Sequence, residues 1–434
     1  MKILQAFVGL VLFISIGAVC QAADSEDLAK QNAEMRQKID QLDKEMEGLK
    51  KTIAEQSGEK QDLMPKVTWS NLDIQLYGYL KLDASYDTSR MNNGDYAKWV
   101  DSEATNDNDN QFDMTARETR LGMLINGPDN GNMKTSGRVE MDFFGPGVSE
   151  NQARIMMRHA YIKLDWPESR FNIIAGQTSD VISPLYPRTV NYSVGWWVGN
   201  IGYRRPQIRL TKELGFEGGG FLKLEGAFAR TIGRDNFATP NSQIDSGSDA
   251  GFPTLQGRAS VTMPTFGPRD ATIGLSGHWG KEEYDTDIYG RNKKIDTWSL
   301  NVDYTQPVTE KVEIKSELYT GENLDAYLGG IGQGVTLSGE NRYKEVGSKG
   351  GWIAASLGPW NKKRFNVGVL VDDVDSSDVN VGDRTLNRSV FGNVYYALNK
   401  QTDIAFELSH WRTKYRGPGD GESLRAQLAF IYNF

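Results

Sequence analysis

The feature that most constrains this chain is a two-residue alternation that continues for much longer than a soluble strand requires. In DIQLYGYLKLDASYD, residues 73–87, apolar, small or aromatic side chains occupy every even position, and the odd positions are polar or tyrosine. Ordinary strands have about 5–6 residues, whereas a tilted strand that crosses a membrane needs about 9–11. The segment therefore indicates a strand with one face in lipid and the other in water.

The same alternation recurs to the end of the chain. It predicts sixteen strands, at residues 73–87, 112–126, 134–144, 154–166, 169–178, 203–213, 220–231, 255–265, 270–281, 295–306, 311–321, 351–358, 363–373, 386–398, 403–414 and 424–434. The strand at 154–166 is ambiguous, because Arg158 and His159 fall on opposite faces of a regular strand. The last strand ends on Phe434 itself, so the final residue is expected within the sheet rather than in a frayed tail.

The connections between these strands alternate in length. Short ones carry turn residues, as in GPDNGN, DWPES, FGPRD and NKQTD. Long ones are polar and rich in glycine, at residues 88–111, 179–202, 232–254, 322–350 and 414–423. Short turns at one end and long loops at the other are typical of outer-membrane barrels. Because the strand number is even, both ends of the barrel are expected on the short-turn side, which would face the periplasm.

We therefore predict an all-β fold: a 16-stranded antiparallel transmembrane β-barrel over residues 67–434, preceded by an N-terminal α-helical coiled coil. A closed sheet leaves no unpaired backbone edge in lipid. The mean hydropathy of −0.52 is compatible with it, because only every second residue of a strand faces lipid. The alternative is a soluble two-sheet β protein, which the strand lengths and the size of the sheet disfavour.

The N-terminal residues 1–23 predict a secretory signal peptide. Lys2 precedes an apolar run from Ile3 to Ala18 that is too short to span a bilayer, and cleavage is expected after Ala22 or Ala23. The alternative is a lipoprotein signal with Cys20 as the lipidated residue. Cleavage after Ala22 or Ala23 removes Lys2 and Cys20, which leaves 48 basic and 57 acidic residues, a net charge of −9, and no cysteine. This balance does not suggest nucleic acid as a partner, and export indicates the envelope of a Gram-negative bacterium.

Residues 24–66 predict a periplasmic coiled coil and linker. The apolar positions repeat every 3.5 residues, with Asn32 at one core position, where a polar group fixes register. The predicted core consists of Leu28, Asn32, Met35, Ile39, Leu42, Met46, Leu49 and Ile53. A parallel coil would make the protein a homo-oligomer. The alternative is a lone amphipathic helix or a charged linker.

The segments LYGYLKLDASYD, FDMTARETRLGM, GRVEMDFFG, RHAYIKLDWP and IIAGQTSDVISPLYPRTVNY, with the terminal YNF, resemble the DcaP-like outer-membrane porins. The resemblance covers the coil and the first six strands. It implies a homotrimer with a periplasmic coil before each sixteen-stranded barrel, and it points to dicarboxylates as solutes. A more general resemblance to phosphate-selective porins is a second possibility.

The strand register predicts which charges line the pore. On the first eight strands, eight basic residues point inward: Lys81, Arg120, Arg138, Lys163, Arg205, Arg209, Lys223 and Arg258. Four acidic residues face them: Asp83, Glu140, Asp142 and Glu225. On the last eight strands, Lys315, Arg364 and Arg425 are outnumbered by Asp303, Glu313, Glu317, Asp372 and Glu407. One wall is thus expected to be basic and the other slightly acidic, which favours passage of small organic anions along the basic wall. The alternative is that these charges pair with their neighbours.

The loop after the fifth strand is unusually rich in aromatic residues. The resemblance implies that it folds into the barrel as a constriction, with Asp180, Arg188 and Tyr192 at the narrowest point. The alternative is that Trp196, Trp197 and Tyr203 pack against the barrel rim or a neighbouring subunit.

An enzyme is not expected. The three histidines are far apart, and Ser409 and His410 lie on opposite faces of one strand. The acidic loops EATNDNDN and DDVDSSDVNVGD lack the spacing of an EF-hand, and no metal or cofactor is predicted. The sequence thus favours a porin in contact with outer-membrane lipid that passes small hydrophilic solutes by passive diffusion. A structural tether or adhesin with a plugged barrel, whose coil contacts peptidoglycan, remains the alternative.

Overall fold

The computed structural model describes residues 66–69, 72–106, 108–128, 131–145, 152–233, 246–285, 292–338, 342–417 and 419–434. The strands are β1 Lys66–Trp69, β2 Leu72–Asp87, β3 Gln111–Thr115, β4 Arg120–Asn126, β5 Lys134–Gly145, β6 Arg154–Trp166, β7 Phe171–Ser179, β8 Arg204–Gly215, β9 Phe221–Ala229, β10 Thr254–Met263, β11 Ala271–Asp285, β12 Asn292–Thr309, β13 Val312–Glu322, β14 Val335–Ser338, β15 Arg342–Glu345, β16 Gly347–Trp360, β17 Lys363–Val374, β18 Arg384–Ala397, β19 Thr402–Tyr415 and β20 Gly421–Asn433. Short helical turns lie in the connections at Glu103–Asn106, Ser246–Asp249, Asp325–Tyr327 and Gly330–Gly332.

The strands form a closed antiparallel barrel. Each wall strand pairs with its neighbours in the sequence, and β2 pairs with β20. At this seam Gly78 and Phe434 exchange both backbone hydrogen bonds, at 3.0 and 3.1 Å. Both β3 and β4 pair with β2 and act as one interrupted wall strand. The short strand β1, which pairs with the start of β2, and the separate hairpin β14–β15 are not wall strands, so the wall has sixteen strands. The predicted sixteen-stranded antiparallel barrel is therefore confirmed, with its last residue inside the sheet.

The interruption between β3 and β4 turns two charged side chains toward the interior. At this break, Arg117 forms an ion pair with Asp95 and Glu118 accepts a hydrogen bond from Lys81 Nζ at 2.5 Å. At the break, the Arg117 carbonyl accepts a hydrogen bond from the Phe143 N–H at 3.0 Å. The single predicted strand over 112–126 is thus two shorter strands.

A β-bulge in β6 resolves the ambiguity at residues 154–166. Glu140 lies opposite His159 and the next residue, Met141, lies opposite Met157, so Arg158 is an extra residue on its strand. A bulge bends the strand locally and re-aims the side chain. As a result both Arg158 and His159 contact Glu140 inside the barrel, at 2.7 and 3.9 Å.

The two faces of the wall differ as the alternation predicts. Outward-facing apolar side chains are exposed, as at Leu80, Phe112 and Ile162 with 52%, 65% and 56%. Inward-facing positions are mostly polar and buried beneath the loops. In the described residues, no helix has the length and apolar character needed to cross a membrane.

The loops occupy the two ends of the barrel unequally. Short turns connect the strands at one end, and the other end carries the long loops 88–110, 180–203, 230–253 and 323–346. One predicted long loop is wrong: β19 and β20 extend to Tyr415 and Gly421, which leaves a short connection. β16 begins at Gly347, before the predicted 351, because its glycines belong to the wall; a Cβ on Gly351 would lie 2.3 Å from the Glu317 carbonyl.

The predicted signal peptide and coiled coil lie outside the described residues. This applies to the core positions Leu28, Asn32, Met35, Ile39, Leu42, Met46, Leu49 and Ile53. They remain predictions.

The seam between β2 and β20 generates a test of barrel closure. Removing residues 430–434 deletes the pairing from Leu82↔Phe430 to Tyr79↔Asn433 and leaves the edge of β2 open. Each unsatisfied backbone group in lipid costs several kcal/mol. We expect the truncated chain, refolded from urea into liposomes, to lose the heat-modifiable folded band on SDS gels. Tyr432→Leu, which keeps the backbone and an apolar outer side chain, is the control, and equal folding yields for the two chains would contradict closure at this seam.

Candidate functional site: the barrel interior

The long loop at residues 180–203 folds into the barrel, and we call it the inward loop. Carboxylates of the wall accept hydrogen bonds from its backbone. The N–H of Leu185 donates to Glu317 Oε1 and the N–H of Val190 donates to Glu407 Oε2, each at 2.7 Å. Both carboxylates are 2% exposed. Because a buried carboxylate is costly without donors, these bonds fix the loop on β13 and β19.

Donors on the wall hold the carbonyls of the same loop. The Tyr395 hydroxyl donates to the Thr189 carbonyl at 2.8 Å. The Lys81 ammonium donates to the Val190 carbonyl, also at 2.8 Å. The inward loop therefore crosses the interior from β7 to β18 and β2.

The three loop residues predicted for the constriction occupy different places. Asp180 lies at the root of the loop, 4% exposed, with its Oδ1 2.7 Å from Arg205 Nε. The Tyr192 hydroxyl donates to Asp142 Oδ2 at 3.0 Å, and burial, reinforced by the Asp142 charge, raises the pKa of Tyr192. Arg188 is exposed. Of these three residues, only Arg188 presents a charge to open space.

The eight basic residues predicted to line the pore all have their side chains on the inner face. Seven of them form ion pairs: Lys81 with Asp83 and Glu118, Arg120 with Glu140, Arg138 with Glu140, Lys163 with Asp165, Arg205 with Asp180, Lys223 with Glu225, and Arg258 with Glu225 and Asp303. Arg209 donates instead to the Ser179 carbonyl and the Gln207 side chain. Pairing with neighbours therefore accounts for much of the predicted basic wall.

Glu140 is the centre of a charged cluster with three arginines. Its carboxylate, 1% exposed, accepts hydrogen bonds from Arg138 Nη2 at 2.5 Å and from Arg158 Nε at 2.7 Å, and Arg120 Nε lies 3.7 Å away. Arg158 also donates to Asp142 Oδ2 at 2.6 Å. Three guanidinium groups thus share two carboxylates, and the cluster keeps a surplus positive charge.

A cavity of about 630 Å³ lies between the inward loop and the short-turn end of the wall. Its charged lining residues are Arg188, Arg269, Lys311, Lys315, Arg364, Glu310 and Glu313. Glu313 pairs with both Arg269 and Lys315, at 3.7 and 3.1 Å. Among the described residues, Arg188 and Arg364 take part in no ion pair. Five cations against two carboxylates make this cavity basic.

The long-loop end of the interior combines a cation with aromatic rings. The Lys98 ammonium lies 5.6, 5.5 and 5.0 Å from the ring centroids of Tyr96, Trp99 and Trp197. Burial, followed by the charge of Arg384, lowers the pKa of Lys98. This entrance therefore offers a cation and flat apolar surface to a solute.

The wall predicted to be slightly acidic does not present most of its carboxylates to open space. Glu317 and Glu407 lie under the inward loop, as described above. Asp372, 0% exposed, accepts the Ile331 N–H of another long loop at 3.1 Å. Asp303 is bound by Arg258 at 2.7 Å. Most carboxylates of this wall therefore bind the loops that cover it and do not face open space.

An apolar cluster on the inner face was not predicted from the sequence. Trp352, Leu370, Phe391 and Trp411 point inward and pack with Val198 of the inward loop. The available signal was that strands such as 363–373 carry apolar residues on both faces. This cluster is the surface on which the loop lies.

The three histidines lie in separate environments. His159 faces the interior, His278 stacks on Tyr327 with ring centroids 3.8 Å apart, and His410 on the outer face lies 2.8 Å from Glu422. Over the ranges that the structure describes, no three His, Cys, Asp or Glu side chains are grouped to hold a metal ion.

Comparison with known proteins bears on the identity of this barrel. Residues 14–213 match the model of the DcaP outer membrane protein family. No curated protein matches the sequence.

Solved structures share the fold at low sequence identity. The outer membrane channel DcaP of Acinetobacter baumannii is 18% identical, with a TM-score of 0.66, over 85% of this chain and 99% of that one. The anion-selective porin of Comamonas acidovorans is 12% identical, with a TM-score of 0.52, over 84% and 100%. The trimer form of OmpT from Vibrio cholerae is 11% identical, with a TM-score of 0.51, over 84% and 100%.

These likenesses to solved structures concern the fold, and the family match concerns the N-terminal part of the chain. Together they confirm the resemblance predicted from the sequence: residues 14–213 match the DcaP outer membrane protein family, and the barrel shares its fold with the DcaP channel.

Proposed function

We propose that this porin lets small hydrophilic solutes diffuse passively across the outer membrane and prefers organic anions such as dicarboxylates. The observation that carries the proposal is the unequal use of charge inside the barrel. Carboxylates of the wall accept hydrogen bonds from backbone N–H groups of the loops, whereas many basic side chains remain partly exposed to the open lumen.

The exposed fractions of the side chains support this asymmetry. Arg120, Arg138, Lys163 and Lys223 are 23%, 31%, 33% and 32% exposed although each has a carboxylate partner. The carboxylates that hold loops are at most 2% exposed. A solute in the lumen therefore meets mainly cations, and a low-dielectric wall focuses their field. Arginine forks bind carboxylates in a bidentate manner.

We also propose a homotrimer in the outer membrane of a Gram-negative bacterium. The trimer form of OmpT, which shares the fold, supports this assembly. The periplasmic position of residues 24–66, their coiled coil and a contact with peptidoglycan are parts of the same proposal.

Ion selectivity is the direct test of the proposed function. In planar bilayers with a KCl gradient, the reversal potential of the purified protein is expected to indicate a preference for Cl⁻ over K⁺. Succinate is expected to permeate measurably. A preference for K⁺ would contradict the basic lumen, and absence of ohmic current would favour the plugged tether. Block by phosphate at concentrations where succinate has no effect would favour a phosphate-selective porin.

Arg188 and Arg364 provide a sharper test, because neither takes part in an ion pair among the described residues. One charge attracts another by about 1 kcal/mol at 4 Å in water, or about fivefold. We expect Arg188→Gln with Arg364→Gln to lower the anion-to-cation permeability ratio by up to about fivefold per charge. Lys349→Gln, on the outer face and 67% exposed, is the matched control. Equal ratios in all three proteins would place the selecting charges elsewhere.

The anchors of the inward loop predict a change in conductance. Glu407→Ala removes the acceptor of the Val190 N–H and of Asn393 Nδ2. Leaving buried donors unsatisfied costs about 1–3 kcal/mol each, so we expect a lower unfolding midpoint and a larger, noisier single-channel conductance. Glu422→Ala, 53% exposed on the outer face, serves as the control. A variant with unchanged current and unchanged midpoint would show that this bond does not hold the loop.

A further inference from the structure

The outer face of strands β16–β20 carries a shallow apolar groove of about 540 Å³. Gly392 forms part of its floor and lies directly between Val367 and Leu408 in the register of three adjacent strands. The groove continues between Val390 and Leu424. A Cβ on Gly392 would meet only Val367 Cγ1, at 3.8 Å, so the space above this glycine is open.

A band of cations borders this groove at the long-loop end. On β18, Arg388 is the next outward-facing residue beyond Val390 in the direction of the long-loop end. It is the register partner of Arg412 on β19, and Lys414 is the next outward residue on β19. Side chains directly opposite each other on antiparallel strands lie about 4.5–5.5 Å apart at Cβ, and like charges there are destabilising. Two facing arginines with a lysine beside them therefore need a counter-charge.

The carboxylates around this band are already engaged. They contact three basic side chains: Asp373 lies 3.6 Å from Lys349, Asp420 lies 3.2 Å from Arg412, and Glu422 lies 2.8 Å from the His410 ring. Arg388 and Lys414 are exposed, and neither belongs to an ion pair in the part of the chain that the structure describes. The Nε of Arg412 is buried and lacks a hydrogen-bond partner there. The positive charge on this rim is thus only partly neutralised by the chain itself.

We propose that the groove and its rim bind one phosphorylated membrane lipid. An acyl chain lies along Gly392, and a phosphate group lies among Arg388, Arg412 and Lys414. Guanidinium groups match phosphate oxygens in a bidentate manner, and cations near a membrane surface attract anionic lipids. This site is separate from the lumen and independent of which solute the channel passes.

The order of the chemistry along the strands favours a lipid over another protein copy. The apolar part of the groove lies toward the middle of the wall, and the cations lie near the strand ends. An amphiphile with an anionic head has the same order. A second copy that offered the same face would instead bring Arg388 and Lys414 toward their own counterparts.

The test measures lipid binding to the delipidated full-length protein by native mass spectrometry in detergent. Diphosphoryl lipid A is the probe, with monophosphoryl lipid A and inorganic phosphate in separate arms. The wild-type protein is expected to hold one diphosphoryl molecule per chain. Each Lys or Arg near a membrane surface contributes about fivefold in affinity, so Arg388→Gln with Lys414→Gln is expected to weaken binding by about 25-fold. Lys281→Gln, at the long-loop end of β11, is the matched control and is expected to bind like wild type.

A second variant tests the groove without changing charge. Gly392→Leu fills the floor and is expected to weaken lipid A binding while the heat-modifiable folded band is retained. The proposal is overturned if the double charge variant binds like wild type, or if inorganic phosphate displaces the lipid and Gly392→Leu has no effect. It is also overturned if Gly392→Leu changes the oligomeric state, because the groove is then a protein interface.

Discussion

The closure of the sheet is the constraint on which the rest of this structure depends. In hydrocarbon, every backbone N–H and C=O must find a partner within the protein, and a sheet achieves this only when its first and last strands meet. Here β2 and β20 meet, and Gly78 and Phe434 complete the seam. Closure also fixes the two faces of every strand, so that alternate residues face lipid and the interior. The polar interior is a consequence of this geometry.

The interior then has to accommodate a loop whose own backbone groups need partners. The inward loop finds them on the wall, at Glu317, Glu407, Tyr395 and Lys81. Two of these four are carboxylates, and each carboxylate that accepts a loop amide is withdrawn from the open lumen. The sign of the net charge exposed to the lumen therefore depends on how the loop is held as much as on the number of charged residues.

Much of the fold was accessible from the sequence, because a period of two over such long segments suits few folds besides a membrane barrel. All sixteen wall strands were predicted within a few residues of their observed bounds, although the strand predicted at 112–126 is interrupted and the one predicted at 351–358 is too short. The bulge at Arg158 was not predicted, since an extra residue breaks the alternation that marks a strand. The apolar inner cluster around Phe391 was missed for a related reason: each strand was assigned one apolar face. Ion pairs such as Arg205–Asp180 join a strand to a loop, and the alternation of strands does not specify the path of a loop.

The inward loop also has a mechanical consequence. Its hydrogen bonds to β13, β18, β19 and β2 link opposite sides of the barrel through the loop. Flattening the cylinder would require these attachments to stretch or break together. The bore is therefore expected to keep its cross-section when the surrounding bilayer is stretched or compressed.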